Sequence, residues 1–326
     1  MILAGDIGGT KTVLALYEER GTALEPVCQE TFPSREFPEF TDVLAKFLNR
    51  TSSPQIRTAC FGVAGPVVNG RVRTTNLPWL LDEQALGKTL GTARVRLLND
   101  LEAAANGMLY LAENELCPLN PKANPEARGH AALIAAGTGL GEAILYWDGT
   151  RYRPMASEAG HADFAPQTDQ EIELLRYLRK KFGHVSYERI LSGPGFYNIY
   201  RFLTDTGFAE EPVWLKEKIQ TGNPSAVVSE VGLAGSHPLC TETLTMFARI
   251  YGAAAGNLAL YVLAYGGVYV GGGIAPKIRA KLKDGSFMQG FTDKGRYTSM
   301  MEGIPVKVAL NPLAPLIGAA RFAQQI

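Results

Sequence analysis

The sequence predicts an α/β fold with two related domains, and two observations carry this prediction. Segments typical of strands alternate with segments typical of helices through the first hundred residues, which indicates a mixed sheet covered by helices. A pattern of apolar run, Gly-rich turn and apolar run also occurs twice, about half a chain apart. This internal repeat predicts two related domains that face one ligand across a cleft, and 326 residues suffice for a core in each.

The first predicted element is a β-hairpin at residues 3–17, "LAGDIGGTKTVLALY". Its Gly-rich turn misses the P-loop pattern by one residue, because Thr10 stands where that pattern has Gly. A P-loop also opens a helix, whereas residues 12–17 are β-branched and aliphatic and favour a strand. The pattern therefore predicts two strands joined by a tight turn at residues 8–10, which we call the first turn.

The next elements follow from hydrophobic spacing and from the Gly and Pro residues between apolar segments. They are a helix at 40–49, a strand at 58–64, a turn at Gly65-Pro66, a polar hairpin to 75, a helix at 82–90, a strand at 95–98 and a helix near 101–112. Three strands followed by helix, strand, helix and strand are compatible with one mixed sheet.

The segment at 114–129 is the predicted crossing between the domains, because three prolines, Pro118, Pro121 and Pro125, make it a loop. The opening pattern then returns in "ALIAAGTGLGEAILYWDG", with a second turn at residues 137–139. The third Gly of this turn comes one residue too early for G-x-G-x-x-G, and a strand pattern follows it, so we do not expect a Rossmann NAD site. Later helices are expected near 170–182, 195–203, 243–263 and 313–323, and the last is expected to return to the first domain.

Composition and charge favour a protein that acts on a small molecule. The 32 Lys and Arg balance the 32 Asp and Glu, so the chain lacks the basic excess typical of nucleic-acid and anionic-membrane binders. Four cysteines lie far apart without a C-x-x-C pair, which favours reduced thiols. The first residues lack the basic flank of a signal peptide. We expect a cytoplasmic protein without nucleic-acid or membrane partners.

One uncharged stretch, between Arg249 and Lys277, is long enough in principle to cross a bilayer. Two adjacent glycines, Gly266 and Gly267, interrupt it, and three more glycines end it. These breakers favour a buried helix followed by a core strand at 268–270.

The two Gly-rich turns are candidate phosphate sites. A phosphate-binding turn needs backbone N–H groups without a partner and without a Cβ nearby. Asp6, at the end of a strand, cannot itself attract phosphate, and we expect it to hold hydrated Mg²⁺. A single Gly-Gly turn is often only a hairpin turn, but two copies flanked by Thr and apolar strands favour phosphate binding. The candidate donors are Gly8, Gly9, Thr10, Gly137 and Thr138.

Asn99 and Asp100 lie between a predicted strand and a predicted helix, in "LLNDLEAAANG". Asp100 is either the N-cap of that helix or a general base at the carboxyl end of a strand, where α/β sheets bind ligands. A carboxylate suits phosphoryl transfer to an alcohol, since it orients the hydroxyl and takes its proton late.

Three further polar residues, Glu158, His161 and Glu188, are of the types that bind a polyol, because each sugar hydroxyl both donates and accepts a hydrogen bond. No Cys follows His161 nearby, so zinc is not expected. Gly272, in "VGGGIAP", either ends a core strand or lets the backbone pack flat against an adenine or ribose.

Together these motifs resemble the bacterial glucokinase family, within the superfamily that shares the actin and hexokinase ATPase fold. The segments that carry the resemblance occur in the family's order and span almost the whole chain. They are "GDIGGTKT", "LLNDLEAAANG", "AAGTGLGEAILYW", "EAGHADFAP", "GHVSYERILSGPG", "YVGGGIAP" and "DKGRY". The absence of a Cys-rich zinc motif after His161 favours the zinc-free branch.

The resemblance implies two duplicated ribonuclease-H-like domains, a smaller one (1–112 plus 303–326) and a larger one (113–302), with glucose and ATP in the cleft. It implies an ATP-dependent kinase that makes glucose 6-phosphate, needs Mg²⁺ and forms a cytoplasmic homodimer. By the same resemblance, Asp100 is the general base on the 6-hydroxyl of the sugar, and Asn99, Glu158, His161 and Glu188 hold the other hydroxyls. The segment from Asp6 to Lys11 would hold the ATP phosphates, and Thr138 would oppose it.

Two departures from the family pattern leave the sugar open. Ala159 stands where the family most often has Gly, and Ala162 stands where it has a branched apolar residue. Mannose or an amino sugar therefore remains an alternative substrate, and ADP or polyphosphate an alternative donor. A sugar-responsive transcription regulator would need a helix-turn-helix module, but the phosphate hairpin begins at residue three. An ATPase of the actin or chaperone type would have no use for the sugar-binding set.

Overall fold

The computed structural model describes residues 1–51, 54–123 and 128–326. The strands are β1 (Ile2–Ile7), β2 (Lys11–Arg20), β3 (Ala23–Pro33), β4 (Thr58–Val63), β5 (Arg71–Arg73), β6 (Leu80–Asp82), β7 (Val95–Asn99), β8 (Leu116–Pro118), β9 (Ala131–Ala136), β10 (Leu140–Trp147), β11 (Tyr152–Ser157), β12 (Gly267–Gly271) and β13 (Val306–Ala309). The helices are α1 (Phe40–Arg50), α2 (Glu83–Leu90), α3 (Asp100–Met108), α4 (Asp169–Phe182), α5 (Gly193–Asp205), α6 (Val213–Thr221), α7 (Pro224–Leu233), α8 (Pro238–Val262), α9 (Arg279–Leu282), α10 (Ser286–Thr292), α11 (Thr298–Gly303) and α12 (Ala314–Gln324).

The described chain divides into two compact units. The first contains Met1–Ala112, Ala143–Ala156 and Asn311–Ile326, and the second contains Glu113–Glu142 and Ser157–Leu310. The domain boundaries implied by the family resemblance, at 112/113 and 302/303, stay a prediction.

The first unit is built on a five-stranded mixed sheet in the order β3-β2-β1-β4-β7. The pairs β1/β2 and β2/β3 are antiparallel, whereas β1/β4 and β4/β7 are parallel. Both faces of the sheet are covered, and so its central strands are mostly apolar on both faces. Leu3 and Phe61 face α1, and Ala4 and Cys60 face α3 and α12.

Helix α12 packs closely on α3, and glycines make this approach possible. A Cβ on Gly107 would lie 1.9 Å from the carbonyl oxygen of Ala314, and one on Gly318 would lie 1.8 Å from that of Ala103. The side-chain amide of Asn106 donates to the carbonyl of Gly318 at 2.8 Å. The C-terminal helix therefore belongs to the core of the first unit.

The second sheet has six strands in the order β11-β10-β9-β12-β13-β8. Strands β9, β12 and β13 are parallel, and β8 is an antiparallel edge strand beside β13. The long buried helix α8 and β12 confirm the expectation for the uncharged stretch. Within the three described ranges, no helix has the length and apolar character needed to cross a membrane.

The prediction of an unbroken loop at 114–129 is wrong at its start, where Leu116–Pro118 forms β8. Pro118 is tolerated there because an edge strand leaves one side of its backbone unpaired, so the missing N–H costs no ladder hydrogen bond. Pro125, which the same prediction used, lies outside the described residues.

Both predicted hairpins with Gly-rich turns are present, as β1/β2 and as β9 followed by β10. The helix expected near 101–112 is shorter, since α3 begins at Asp100 and ends at Met108.

Candidate active site

The first turn is held by hydrogen bonds from Ser34, which is fully buried. The Ser34 hydroxyl donates to the carbonyl of Gly8 at 2.7 Å, and its backbone N–H donates to the carbonyl of Thr10 at 3.1 Å. The buried hydroxyl of Thr12 lies 2.9 Å from that of Ser34. Both carbonyls at the ends of the turn are therefore held by one residue of the following segment.

The donors of the first turn are fewer than the sequence suggested. The N–H of Gly8 closes the hairpin by donating to the carbonyl of Lys11 at 3.0 Å, so it is already used. Among the described residues, the N–H groups of Gly9 and Thr10 meet no acceptor. Gly9 must be glycine, because a Cβ there would lie 2.6 Å from Cβ of Asn76. The two N–H groups available for an anion are therefore those of Gly9 and Thr10.

Asp6 lies in β1, two residues before the turn, and is half-buried. Burial raises the pKa of its carboxyl to about 6, and the nearby charge of Lys11 partly offsets this rise. A carboxylate beside a phosphate-binding turn fits a hydrated Mg²⁺, which takes one or two protein carboxylates together with phosphate and water oxygens. In the described part of the chain, no three His, Cys, Asp or Glu side chains cluster into an all-protein metal cage.

The strand register brings the first turn and Asp100 to the same side of the sheet, the side at which its parallel strands have their carboxyl ends. Ile7 of β1 pairs with Val63 of β4, and Val63 pairs with Asn99 of β7, all in parallel strands. The first turn follows Ile7, and Asp100 follows Asn99, so both stand at carboxyl ends of parallel strands. Two strand spacings separate β1 from β7, or about 10 Å. This is the edge at which open α/β sheets bind their ligands.

Asn99, and not Asp100, is the N-cap of α3. The Asn99 side-chain oxygen accepts the N–H of Leu101 at 2.9 Å, and its amide donates to the carbonyl of Gly65 at 3.2 Å. Asp100 is the first helical residue and is half-buried, with one carboxylate oxygen 3.0 Å from the same Leu101 N–H. Because Asn99 caps α3, the alternative in which Asp100 is the N-cap is wrong. The other alternative, Asp100 as a general base at the carboxyl end of β7, stays a prediction.

The second turn lies between β9 and β10, and its carbonyl is tied to a helix. The N–H of Gly137 donates to the carbonyl of Gly139 at 2.8 Å, and the carbonyl of Gly137 accepts the N–H of Gly193, at the start of α5, at 2.8 Å. Thr138 at its tip is exposed. Gly272 adopts φ +79°, and a Cβ there would lie 2.2 Å from the carbonyl oxygen of Ala136. Close backbone packing therefore accounts for Gly272, and its contact with a nucleotide stays a prediction.

The three candidate polyol ligands of the second unit come from segments that meet at Leu140. One carboxylate oxygen of Glu188 accepts the N–H of Leu140 at 3.0 Å. Glu158 precedes a 3₁₀ turn that ends at His161, and a Cβ on Gly160 within this turn would lie 2.1 Å from the carbonyl oxygen of Leu140. The side chains of Glu158 and His161 are exposed, and Glu188 is half-buried. The polyol set is therefore positioned by the first residue of β10, directly after the second turn.

Sequence reasoning missed several residues around these turns. Ser34 belongs to no recognisable motif. It contacts Gly8 only because the chain returns to the first turn 26 residues later. Glu142 is 5% exposed on β10, and burial raises the pKa of its carboxyl to about 7. A charged residue that falls within an otherwise apolar strand run was the available signal for Glu142.

Known proteins resemble this chain over almost its whole length. The sequence model of the glucokinase family matches residues 3–326. A glucokinase of Nostoc punctiforme is 40% identical over an alignment that covers 100% of this chain and 99% of the relative. This chain belongs to the glucokinase family. The resemblance to that family is confirmed, and with it the assignment of the chain to the ATP-dependent sugar kinases.

Solved glucokinases share the fold. The glucokinase of an Antarctic psychrotroph superposes with a TM-score of 0.88 at 30% identity, covering 100% of this chain and 99% of that one. A ROK-family glucokinase from Streptomyces griseus, solved in complex with glucose and AMPPNP, gives a TM-score of 0.65 at 20% identity, with 100% and 99% coverage. The two-domain α/β fold of glucokinases, consistent with the actin and hexokinase ATPase fold, is therefore established for this chain.

Proposed function

We propose that this protein transfers the γ-phosphoryl group of ATP to the 6-hydroxyl of D-glucose, with Asp100 as general base. The observation that carries the proposal is the register Ile7–Val63–Asn99, since it sets a phosphate-type turn and a carboxylate at one sheet edge. A phosphoryl group held at the turn and a hydroxyl held at the carboxylate would then face each other, as an in-line transfer between closely placed reacting atoms requires.

Asp100 acts in this proposal by position and charge. Its carboxylate accepts a hydrogen bond from the 6-hydroxyl, orients the oxygen toward the γ-phosphorus and takes the proton as the new bond forms. Its place at the start of α3 supports this role, because a helix N-terminus stabilises negative charge. Asn99 keeps the strand end rigid through its cap and its bond to Gly65.

The other sugar hydroxyls are assigned to Asn99, Glu158, His161 and Glu188. The two carboxylates accept hydrogen bonds, and the imidazole and the amide can both donate and accept, so the set can pair with hydroxyls in both senses. Packing of Gly160 against Leu140 and the bond from Glu188 to Leu140 support a fixed geometry for three of them.

The nucleotide phosphates are assigned to the two turns. In the first turn the N–H groups of Gly9 and Thr10 would bind the phosphates, Gly8 would fix the turn, and Lys11 would neutralise charge. In the second turn Thr138 would bind the phosphates and Gly137, whose N–H already donates to Gly139, would fix the turn, with Gly272 beside them. Mg²⁺, held by Asp6 through water, would supply further charge neutralisation when bound. We further propose that the protein is a cytoplasmic homodimer.

The direct test is ADP release by the purified protein with Mg-ATP, alone and with glucose, mannose, fructose or N-acetylglucosamine. Strong stimulation by glucose alone supports the proposal. Stimulation by another sugar would keep the kinase assignment and redirect the specificity to Ala159, Ala162 and Glu188. ADP release that no sugar stimulates would contradict the proposal and favour an ATPase. Absence of any ADP would contradict ATP as the donor, and polyphosphate would be tried next.

A further inference from the structure

A buried tyrosine of α8 terminates the hydrogen-bond ladder that leads to the second turn. Tyr251 is fully buried, and its hydroxyl accepts the N–H of Ala136 at 3.0 Å. The same hydroxyl lies within donating distance of the carbonyls of Ile134, at 3.2 Å, and Gly271, at 3.3 Å. The last paired residues of these parallel strands are Ala135 and Gly271. The hydroxyl therefore joins the ends of β9 and β12 where their pairing stops.

The Tyr251 hydroxyl contacts the residue that directly precedes each of the glycines Gly137 and Gly272. Gly137 follows Ala136, and Gly272 follows Gly271. The carbonyl of Ala136 accepts the N–H of Ile274 at 3.1 Å, so both polar groups of Ala136 are bound. Ala136 therefore anchors the start of the second turn, and the Tyr251 hydroxyl holds the N–H of Ala136.

The ring of Tyr251 is fixed independently of its hydroxyl. It makes edge-to-face contacts with Phe247 and Phe287, with centroids 5.7 and 5.6 Å away. Burial raises the pKa of the phenol, so it stays neutral and can both accept and donate. A phenylalanine would fill the same space and remove only the hydroxyl, which makes the hydroxyl separately testable.

We propose that Tyr251 is a positioning residue for phosphoryl transfer, which holds the second turn through Ala136 in the geometry that receives the nucleotide phosphates. The proposal rests on the function proposed above for that turn. Tyr251 acts through the backbone of Ala136, where the chain enters the second turn, whereas Glu188 and Gly160 contact Leu140, where the chain leaves it. Its loss therefore affects the nucleotide more than the sugar.

The test compares Tyr251→Phe with Tyr200→Phe in steady-state kinetics with either substrate varied. Tyr200 is a matched control, since it is also fully buried in the second unit, and its hydroxyl donates to the side chain of Glu211 at 2.7 Å and not to the backbone of β9 or β12. We expect Tyr251→Phe to raise KM for Mg-ATP about tenfold, the effect of one lost hydrogen bond, with KM for glucose within about twofold of wild type. Tyr200→Phe is expected to leave both KM values unchanged.

A second readout is amide hydrogen exchange over residues 131–142, which should be faster in Tyr251→Phe because the Ala136 N–H has lost its acceptor. Equal KM values for Mg-ATP in Tyr251→Phe and wild type would overturn the proposal, as would equal changes for ATP and glucose. A Tyr251→Phe chain that does not fold would also overturn it, because the hydroxyl would then serve the core as a whole.

Failure of the proposed function gives a different result. Wild-type protein without sugar-stimulated ADP release would contradict the kinase assignment and leave Tyr251 testable by calorimetric binding of Mg-ADP. Binding about tenfold weaker in Tyr251→Phe than in Tyr200→Phe would then support the positioning role, and equal binding would overturn it.

Discussion

The Ser34 hydroxyl donates a hydrogen bond to the carbonyl of Gly8 at 2.7 Å, and this bond joins the end of β3 to the first turn. Ser34 is fully buried and also pairs with the Thr12 hydroxyl. A turn that offers its N–H groups to an anion must keep its carbonyls directed elsewhere, and Ser34 does this for Gly8 and Thr10.

Ser34→Ala should therefore weaken nucleotide binding as well as stability. It leaves the half-buried carbonyl of Gly8 and the buried Thr12 hydroxyl without a partner, which costs about 1–3 kcal/mol of unfolding free energy. We expect a lower Tm and a several-fold higher KM for Mg-ATP. The control is Thr92→Ala, because the Thr92 hydroxyl also donates to a backbone carbonyl, that of Arg57, at 2.7 Å. Arg57 directly precedes the first residue of β4, whereas the first turn follows the carboxyl end of the neighbouring strand β1. An equal KM for Mg-ATP in both variants would contradict the role of Ser34.

Gly160→Ala should raise KM for glucose. The added Cβ would lie 2.1 Å from the carbonyl oxygen of Leu140, so the 3₁₀ turn that carries Glu158 and His161 must move. A displacement of about 1 Å at a binding site can cost up to about a hundredfold, so we expect more than a tenfold rise. Gly303→Ala is the control, since no heavy atom lies within 4 Å of a Cβ there. An unchanged KM for glucose would contradict the assignment of this turn to the sugar.

Asn99→Ala should lower both stability and glucose affinity. The variant loses the N-cap of α3, worth about 1 kcal/mol, and the donor to the Gly65 carbonyl. Asn99→Ser separates the two effects, since a serine hydroxyl can cap the helix but cannot replace the amide. We expect Asn99→Ser to regain the part of Tm that the cap supplies without regaining glucose affinity. Full recovery of glucose affinity by serine would show that Asn99 acts only as a cap.

Glu142 should make the protein less stable as the pH rises. Burial raises its pKa from 4.5 to about 7, so the folded state binds the proton more tightly than the unfolded state. The contribution is fully present below pH 4.5, is lost as the pH rises toward 7, and amounts to about 3 kcal/mol. Glu142→Gln should therefore be more stable than wild type at pH 8 and show a flatter dependence on pH, as measured by denaturant unfolding.

Asp148 provides a control of opposite sign for this pH prediction. Hydrogen bonds from the N–H of Arg151 and from the side chains of Thr150 and Arg153 hold the pKa of Asp148 well below its usual range. Its contribution is present at neutral pH and is lost on acidification, so Asp148→Asn should not gain stability at pH 8. A wild-type stability that rises between pH 5 and pH 8 through Glu142 would contradict the assigned direction.

Much of this fold follows from local sequence patterns. The apolar runs on both sides of each Gly-rich turn predict the two hairpins, because strand spacing and turn residues are local properties. Strand β8 was missed because a three-residue edge strand depends on its partner β13, which lies about 190 residues away along the chain. The proline count at 114–129 carried no information about that partner.

The candidate site was predictable to the extent that its residues stand in motifs. Asp100 and the two turns follow from strand ends and glycines, but the capping role of Asn99 over Asp100 required backbone geometry. Ser34 and Tyr251 were missed because each acts through hydrogen bonds to residues far away in sequence. Such supporting contacts leave no local pattern, since a buried hydroxyl and a buried apolar group have the same spacing along a strand or helix.

The most direct test of the account is the turnover of Asp100→Asn with saturating Mg-ATP and glucose. Asn keeps the size of the side chain and loses the base, so we expect kcat to fall by about 10²–10⁴ while glucose still binds. Asp82→Asn is the matched control, because Asp82 also stands between a strand and a helix of the first unit and caps α2 through Ala85. Near-normal kcat in Asp82→Asn beside the loss in Asp100→Asn would support Asp100 as the base. Turnover of Asp100→Asn within a few-fold of wild type would contradict it.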